Sequence, residues 1–579
     1  MDFFGTAGDQ PASAPASIEA PHLKTEAGVT VALAGGPVWL KGVEAASPAD
    51  AIWQAYKASG RLFLEHLTGR FALAIVDHAR SCVVLALDPM GMEALAYAQD
   101  SGRILFSSSA AKVARAVGPR AHLRAQALFD YLLLHMVPAP ETVFEGVFKL
   151  RPGTCAIFEG GRLSIERFWT PHFTHGSSGD FPALRDDLLK SLHDGVAACR
   201  PDAKTGAFLS GGLDSSTVAG MLGKVSGTGP RTFSMGFGVD EFNELEYAHI
   251  ANRRFGASPH EYQVTPEDIV DVFPKIAAAY DEPFGNSSAI PTYCCARLAA
   301  QHGVTHLLAG DGGDELFGGN ERYVRQRVFE IYGKRIPAWA RTGLIEPLTR
   351  GIDPESRIMP LRKLRSYVDQ ARIPLPERLE SWNFMYRTDL GAMLDDEFRA
   401  AIDTRRPIAT MTEVYAQAPS DEMLHKMLFY DWHYTLSDND LRKVGTTCAL
   451  AGVKVSYPML DPRVVDVSLR VPPGMMIEGL ELRSFYKKAM RDFLPDEILR
   501  KKKHGFGLPF GVWLKTHARL GELIYGLLSA LKTRQIVKPK FLDTLIAEAR
   551  EGHPGYYGYA IWDLSMLEAW LQAHEGALC

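Results

Sequence analysis

Residues 208–218 read FLSGGLDSSTV, and the two ends of this stretch ask for different structures. The apolar GAFL that leads into it (206–209) suits a buried strand, and STVAGMLGKV after it (216–225) suits a helix. Gly211 and Gly212 at such a turn let the backbone approach a ligand closely. The free N–H groups of the helix start then face that ligand with the positive end of the helix dipole. The hydroxyls of Ser210, Ser215 and Ser216 add donors suited to phosphate oxygens. Asp214 would repel an anion in this cradle unless a cation lay between them, and Mg²⁺, an oxygen-seeking ion that bridges to phosphates, answers that need. The GxxxxGKS/T pattern of the Walker loop is absent. The plainer alternative is a glycine-rich turn in which Asp and Ser simply cap a helix.

Outward from this turn, strands alternate with helices. GAFLS, a helix from about 215, RTFSMGF, a helix from about 243, HEYQV, a long helical stretch and THLLAG form a βαβ series, which predicts a parallel sheet with helices on both faces. A second glycine-rich loop, LLAGDGGDELFGGNERY (307–323), again follows an apolar strand and carries Asp311, Asp314 and Glu315. Loops at the same edge of a parallel sheet converge on one crevice, so Asp314 is placed to share a Mg²⁺ with Asp214. A solvated Asp/Gly turn is the alternative. In RKKKHGFGLPF (500–510), Lys503 precedes a flexible HGFG segment of the kind that closes over a site and brings a cation to developing negative charge. A solvated basic run, or a nucleic-acid patch, would read the same way. From about 325 onward the chain reads as mostly helical.

At 579 residues the chain exceeds one compact core. Residues 1–22 read as a loose leader. Short strands VTVALAG (29–35), RFALAIVDH (70–78), SCVVLALD (81–88) and RILFSSS (103–109) place a β-rich domain at 23–172. HFTHGSSGDFP marks a linker at 173–182, and 183–579 forms the α/β domain. The 63 basic and 68 acidic residues give a net charge of −5, which offers no general pull toward nucleic acid or an anionic membrane. No apolar run reaches the roughly 20 residues needed to span a bilayer. Seven scattered cysteines without CxxC pairs fit reduced thiols in the cytoplasm.

The three motifs, in this order and at these distances, resemble the asparagine synthetase family of ATP-dependent amide-forming enzymes. DEPFGNSSAIPTY (281–293), SYPMLDPRVVDVSLRVPP (456–473) and, in the front domain, LTGRFALAIVD and LALDPMGMEALAYA are similar to it as well. The resemblance implies a degenerate N-terminal nucleophile-type β-sandwich joined to a parallel-sheet ATP-pyrophosphatase-type synthetase domain with a helical C-terminal part. It implies that SGGLDSS grips the ATP pyrophosphate and that Leu209, Met235 and Gly310 surround the adenosine. It also implies that Asp214 and Asp314 hold Mg²⁺, that Asp311 sits at the base position and that Lys503 stabilises the reacting intermediate.

Two departures modify that picture. Glutamine-using members carry a cysteine after the initiator Met, where this sequence has Asp2; the first cysteine is Cys82. Glutamine hydrolysis is therefore not expected. In the segment 436–461, Gly445-Thr446 and Val453-Lys454-Val455-Ser456 replace the charged groups that serve free aspartate in the family. Branches without the cysteine use an amine already on the substrate. The acidic Asp311 and the length favour a likeness to the lasso peptide cyclases, which join a peptide's N-terminal amine to an Asp or Glu side chain. That likeness implies a precursor peptide as substrate and a leader-binding protein and a leader peptidase as partners. A β-lactam-type or ammonia-dependent asparagine synthetase, a non-catalytic ATP-binding protein and a tRNA-modifying nucleotidyl enzyme are the alternatives.

Overall fold

The structure is a computed structural model describing residues 3–8, 18–40, 45–118, 122–175, 179–239, 244–353, 358–501, 507–551 and 554–578. The front domain is a sandwich of two sheets. One contains β1 (Phe4–Gly8), β2 (Ile18–Glu19), β7 (Ala96–Asp100), β8 (Arg103–Ser107) and β9 (Phe148–Lys149), in the order β2-β1-β8-β7-β9. The other contains β3 (His22–Glu26), β4 (Val29–Trp39), β5 (Leu67–Asp77), β6 (Cys82–Leu87), β10 (Thr154–Glu159) and β11 (Arg162–Arg167), in the order β11-β10-β6-β5-β4-β3. RFALAIVD reads as continuously apolar because β5 is covered on both faces. Ala72, Ala74 and Val76 face the other sheet, whereas Leu73 and Ile75 pack with Ile52 and Tyr56 of the helix Pro48–Ser59.

Two sequence expectations are corrected here. Residues 1–22 are not a loose leader throughout: Phe4–Gly8 runs antiparallel to β8, from Phe4 opposite Ser107 to Gly8 opposite Arg103, and Phe3 is buried. The small, weakly patterned FGTAG becomes a strand because β8 and β2 supply its partners, a tertiary contact that outweighs local propensity. Nor is 173–182 a linker throughout. The Asp180 side chain caps the helix Phe181–Ala198, and Phe173 stacks on His425 with ring centroids 4.3 Å apart.

The second domain holds the parallel sheet: β12 (Thr205–Phe208), β13 (Arg231–Phe237), β14 (Ser258–Val264), β15 (His306–Leu308) and β16 (Lys454–Ser456), in the order β14-β13-β12-β15-β16. The chain moves outward from β12 to β13 and β14, then returns through the helices Pro266–Ala279 and Ala289–Gln301 to β15 on the other side of β12. With right-handed crossovers, this reversal puts helices on both faces and opens a crevice between the loops after β12 and β15. Those are the two glycine-rich loops. β16 arrives from far along the chain, inside the stretch read as helical, and its Val455 carbonyl accepts a hydrogen bond from Arg70 of the front domain at 2.7 Å.

Candidate active site

A cavity of about 670 Å³ opens at that crevice, within the size range of small-molecule sites. Leu209, Ser210, Gly212, Asp214, Ser215, Met235, Gly310, Asp311 and Asp314 all line it. Gly211 and Ser216 do not. Gly211 has φ +70°, and a Cβ there would meet the backbone N of Ala248 at 2.5 Å, so its glycine serves the turn and the close approach of the helix Leu245–Phe255. Ser216 is fully buried, and its hydroxyl has no hydrogen-bond partner among the described residues. Lys503 lies outside the described residues. The basic run nevertheless starts at the cavity rim: Lys501 pairs with Glu244 at 3.1 Å and lies over the Tyr247 ring.

The capping alternative for the first loop is not what forms. The helix Leu213–Ser226 has Gly212 at its N-cap and no side-chain capping bond. Ser210 and Ser215 instead bond each other, hydroxyl to hydroxyl at 3.0 Å. The helix start therefore presents its N–H groups to the cavity, as an anion site requires. Gly310 and Gly313 let the second loop press against the first. A Cβ on Gly310 would meet the Ser215 backbone N at 2.8 Å, and one on Gly313 would meet Asp214 Oδ1 at 2.0 Å.

That pressing brings Asp214 and Asp314 to one buried cation, the guanidinium of Arg483. Its Nη1 donates to Asp214 Oδ2 at 2.6 Å and to Asp314 Oδ1 at 3.1 Å, and its Nη2 donates to Asp214 Oδ1 at 2.5 Å. Arg483 is 3% exposed, lies over the Tyr486 ring and has φ +57°. The Tyr486 hydroxyl in turn bonds Thr217 at 2.9 Å, which ties this corner to the phosphate-loop helix. Asp214 and Asp314 offer carboxylate oxygens of the kind Mg²⁺ takes, and in this structure Arg483 holds both of them.

Asp311 lines the cavity near a second charge pair. Lys443 donates to Asp440 at 2.7 Å, and both line the cavity. Burial pushes the Asp311 carboxyl up to about 6; Lys443 opposes this, while Asp440 and Asp214 add to it. Burial works against the Lys443 ammonium, but Asp440 and Asp311 outweigh it and hold its pKa up. The loop that carries Asp314 is braced from behind: the Trp432 indole donates to the Glu315 carbonyl at 3.0 Å, and Arg322 and Tyr323 both bond the buried Asp431.

Sequence reasoning missed Arg483, Asp440 and Lys443. Arg483 sits in LELRSFYKK, where nothing distinguishes it from a surface arginine. Asp440 and Lys443 lie in the mixed run LSDNDLRKVGTTCAL, where nothing in the spacing marks them as facing a cavity.

Comparison with known proteins gives the same reading. Residues 187–572 match the family model described as asparagine synthase, and residues 41–169 match that of a glutamine amidotransferase domain. The chain is 27% identical over 539 residues to a putative asparagine synthetase, glutamine-hydrolyzing, of Mycobacterium tuberculosis, covering 90% of this chain and 79% of that one. It is 25% identical over 488 residues to asparagine synthetase, glutamine-hydrolyzing, 1 of Bacillus subtilis, covering 83% and 74%. With the first family model matched across most of its length, the chain belongs to the asparagine synthase family, whose members are ATP-dependent carbon–nitrogen ligases that form AMP.

Proposed function

We propose that this ligase is a macrolactam synthetase of the lasso peptide cyclase type. It activates an Asp or Glu side-chain carboxylate of a precursor peptide and joins it to that peptide's own N-terminal amine. The observation that carries the reading is a ligase cavity lined by a buried carboxyl, Asp311, that can serve as its base, in a chain whose described cysteines are all shifted away from the thiolate. Burial pushes Cys82, Cys155 and Cys199 up to about 11 and Cys294 up to about 12, and holds Cys295 and Cys448 higher still. No described cysteine is an activated thiolate able to release ammonia from glutamine. That leaves free ammonia or an amine already on the substrate as the nitrogen source, and the cyclase reading takes the second.

The residues divide the work as follows. The N–H groups of Leu213 and Asp214 hold phosphate oxygens, with Leu209, Met235 and Gly310 against the adenosine. Asp214 and Asp314 would hold Mg²⁺, which when bound would neutralise the phosphates and ease departure of the pyrophosphate. The substrate carboxylate displaces pyrophosphate at the α-phosphorus and gives an acyl-adenylate. The amine attacks its carbonyl carbon, Asp311 takes the proton from that nitrogen, and AMP leaves with the carbonyl–oxygen electron pair. Lys503 would offset charge on the tetrahedral intermediate. A leader-binding protein and a leader peptidase would present the peptide. The need for ATP and the absence of paired cysteines among the described residues support a cytoplasmic reaction.

The relatives are named asparagine synthetases, which supports a second reading, asparagine or other small-molecule amide synthesis, here with free ammonia. Purified protein with ATP and Mg²⁺ decides between them. One reaction receives aspartate with ammonium, the other a precursor peptide, and AMP and product mass are measured. A peptide product lighter by one water, with no asparagine formed, upholds the cyclase; asparagine at a steady rate overturns it.

A further inference from the structure

Nine of the nineteen large hydrophobic side chains exposed among the described residues fall between Glu321 and Arg372, less than a tenth of the chain. Chance does not gather them there, and the cavity described above does not use them. Eight stand on the helix Glu321–Arg335, the helical run 338–350 and the helix Met359–Arg372, and the ninth, Ile358, is the N-cap of the last. Trp339 is 74% exposed, Leu348 66% and Leu344 55%.

The helix Met359–Arg372 shows why these residues are bare. Leu361, Leu364 and Val368 follow one another at helical spacing and form one apolar stripe. At its C-terminal end the stripe is covered: Val368 is buried, and the neighbouring Tyr367 ring lies 5.5 Å from that of Phe329 on the helix Glu321–Arg335. At its N-terminal end Leu361 and Leu364 are exposed. Leu344 and Leu348, four residues apart on the neighbouring run, extend the bare face.

Charge sets this region apart as well. Residues 321–372 hold twelve Lys and Arg against six Asp and Glu, inside a chain whose net charge is −5. Among the described residues Glu321 pairs with Arg325, Glu346 with Arg372, Asp369 with Arg365 and Glu330 with Arg378, while Arg322 is taken up by Asp431 and Glu380. Arg350, Arg362 and Lys363 are exposed beside the bare leucines.

We propose that this face binds an anionic lipid surface, with its leucines and Trp339 entering the headgroup boundary and its arginines and lysines meeting lipid phosphates. Two-sided basic helices with leucine and tryptophan on the apolar side lie on membranes in this way. An acidic protein would satisfy the charge equally. The bare leucines are instead flanked on the same helical pieces by the exposed Arg350, Arg362 and Lys363, the pairing of apolar and basic side chains that an anionic headgroup layer accepts. No helix among the described residues is long and apolar enough to cross a membrane, so the contact is with the surface alone.

The test is sedimentation of the purified full-length protein with vesicles of phosphatidylcholine and phosphatidylglycerol in equal parts, and with phosphatidylcholine alone. Binding to the mixed vesicles only is expected, weakened at about 0.5 M NaCl by screening. The combined variant Leu344→Ser, Leu348→Ser, Leu361→Ser, Leu364→Ser is expected to bind about tenfold more weakly, and Arg350→Gln, Arg362→Gln, Lys363→Gln to a similar degree. Thermal unfolding confirms that each variant is folded. The single change Trp339→Phe, which leaves the fold untouched, should remove a vesicle-induced blue shift in tryptophan emission. Failure to sediment with the mixed vesicles overturns the proposal, as does equal binding by folded variants. Binding of poly-L-glutamate, but not of vesicles, with the same sensitivity to substitution overturns it in favour of an acidic protein.

Discussion

Replacing Arg483 by methionine removes the positive charge that lies between Asp214 and Asp314 while keeping most of the side-chain volume. Three hydrogen bonds to charged acceptors are lost, at 2.5, 2.6 and 3.1 Å. Each such bond contributes about 1.5–3 kcal/mol, a gross loss of about 5–9 kcal/mol. The guanidinium's own desolvation, no longer incurred, offsets part of this. Water reaches the two carboxylates, whose side chains are 18% and 25% exposed, and screens their mutual repulsion. A net destabilisation of about 3 kcal/mol is expected, the low end for breaking a buried ion pair. Urea unfolding of the nucleotide-free protein measures it. The same experiment with Mg²⁺ carries the sharper prediction: the ion supplies the missing charge, so it should stabilise Arg483→Met more than the wild type. A loss below about 1 kcal/mol, or equal stabilisation of both proteins by Mg²⁺, would refute the reading of Arg483 as the pair's resident counter-charge.

Asp311→Asn should slow amide formation by about a hundred- to ten-thousand-fold while ATP–pyrophosphate exchange continues, since the base acts only on the attacking amine. With the Asp311 carboxyl pushed up to about 6, only its ionised form accepts a proton, so kcat/KM should rise with pH through about 6 and then level off. The stability sign is the reverse: the folded state holds this proton more tightly than the unfolded chain, so the stabilisation is present below about pH 4 and is lost as pH climbs through about 6. Because Lys443 holds the Asp311 pKa down, Lys443→Met should move the activity limb to higher pH, and an unmoved limb would show the two groups uncoupled. Gly313→Ala forces a Cβ to within 2.0 Å of Asp214 Oδ1, so loss of nucleotide binding by calorimetry is expected, and wild-type affinity would exclude the tight loop-on-loop packing.

The glycine loops were legible in the sequence because each combines an apolar strand, paired glycines and an acidic residue, a pattern with few structural solutions. The strands of the front sandwich were equally visible where both faces are buried, as in RFALAIVD. What escaped was whatever depends on a distant partner. β16 is three residues long and exists because β15 lies beside it. The strand Phe4–Gly8 is drawn into its sheet by β8, about a hundred residues away, with no alternation of its own to announce it. Arg483 becomes a site residue through three bonds to side chains that lie in two other parts of the chain. Spacing along the chain carries no record of such meetings.

The late arrival of β16 also bears on how the protein is made. Until Lys454–Ser456 leaves the ribosome, β15 has one neighbour, and its backbone groups on the other edge are open to any strand that drifts past. The intervening segment is long enough that synthesis takes on the order of ten seconds to supply the partner. During that interval the half-built sheet, with Leu307 and Leu308 at its rim, is the place where nascent chains would pair with one another. Truncations ending before residue 454 should therefore collect in inclusion bodies, and the full-length protein should depend on chaperones that shield strand edges while its helical half is still being translated.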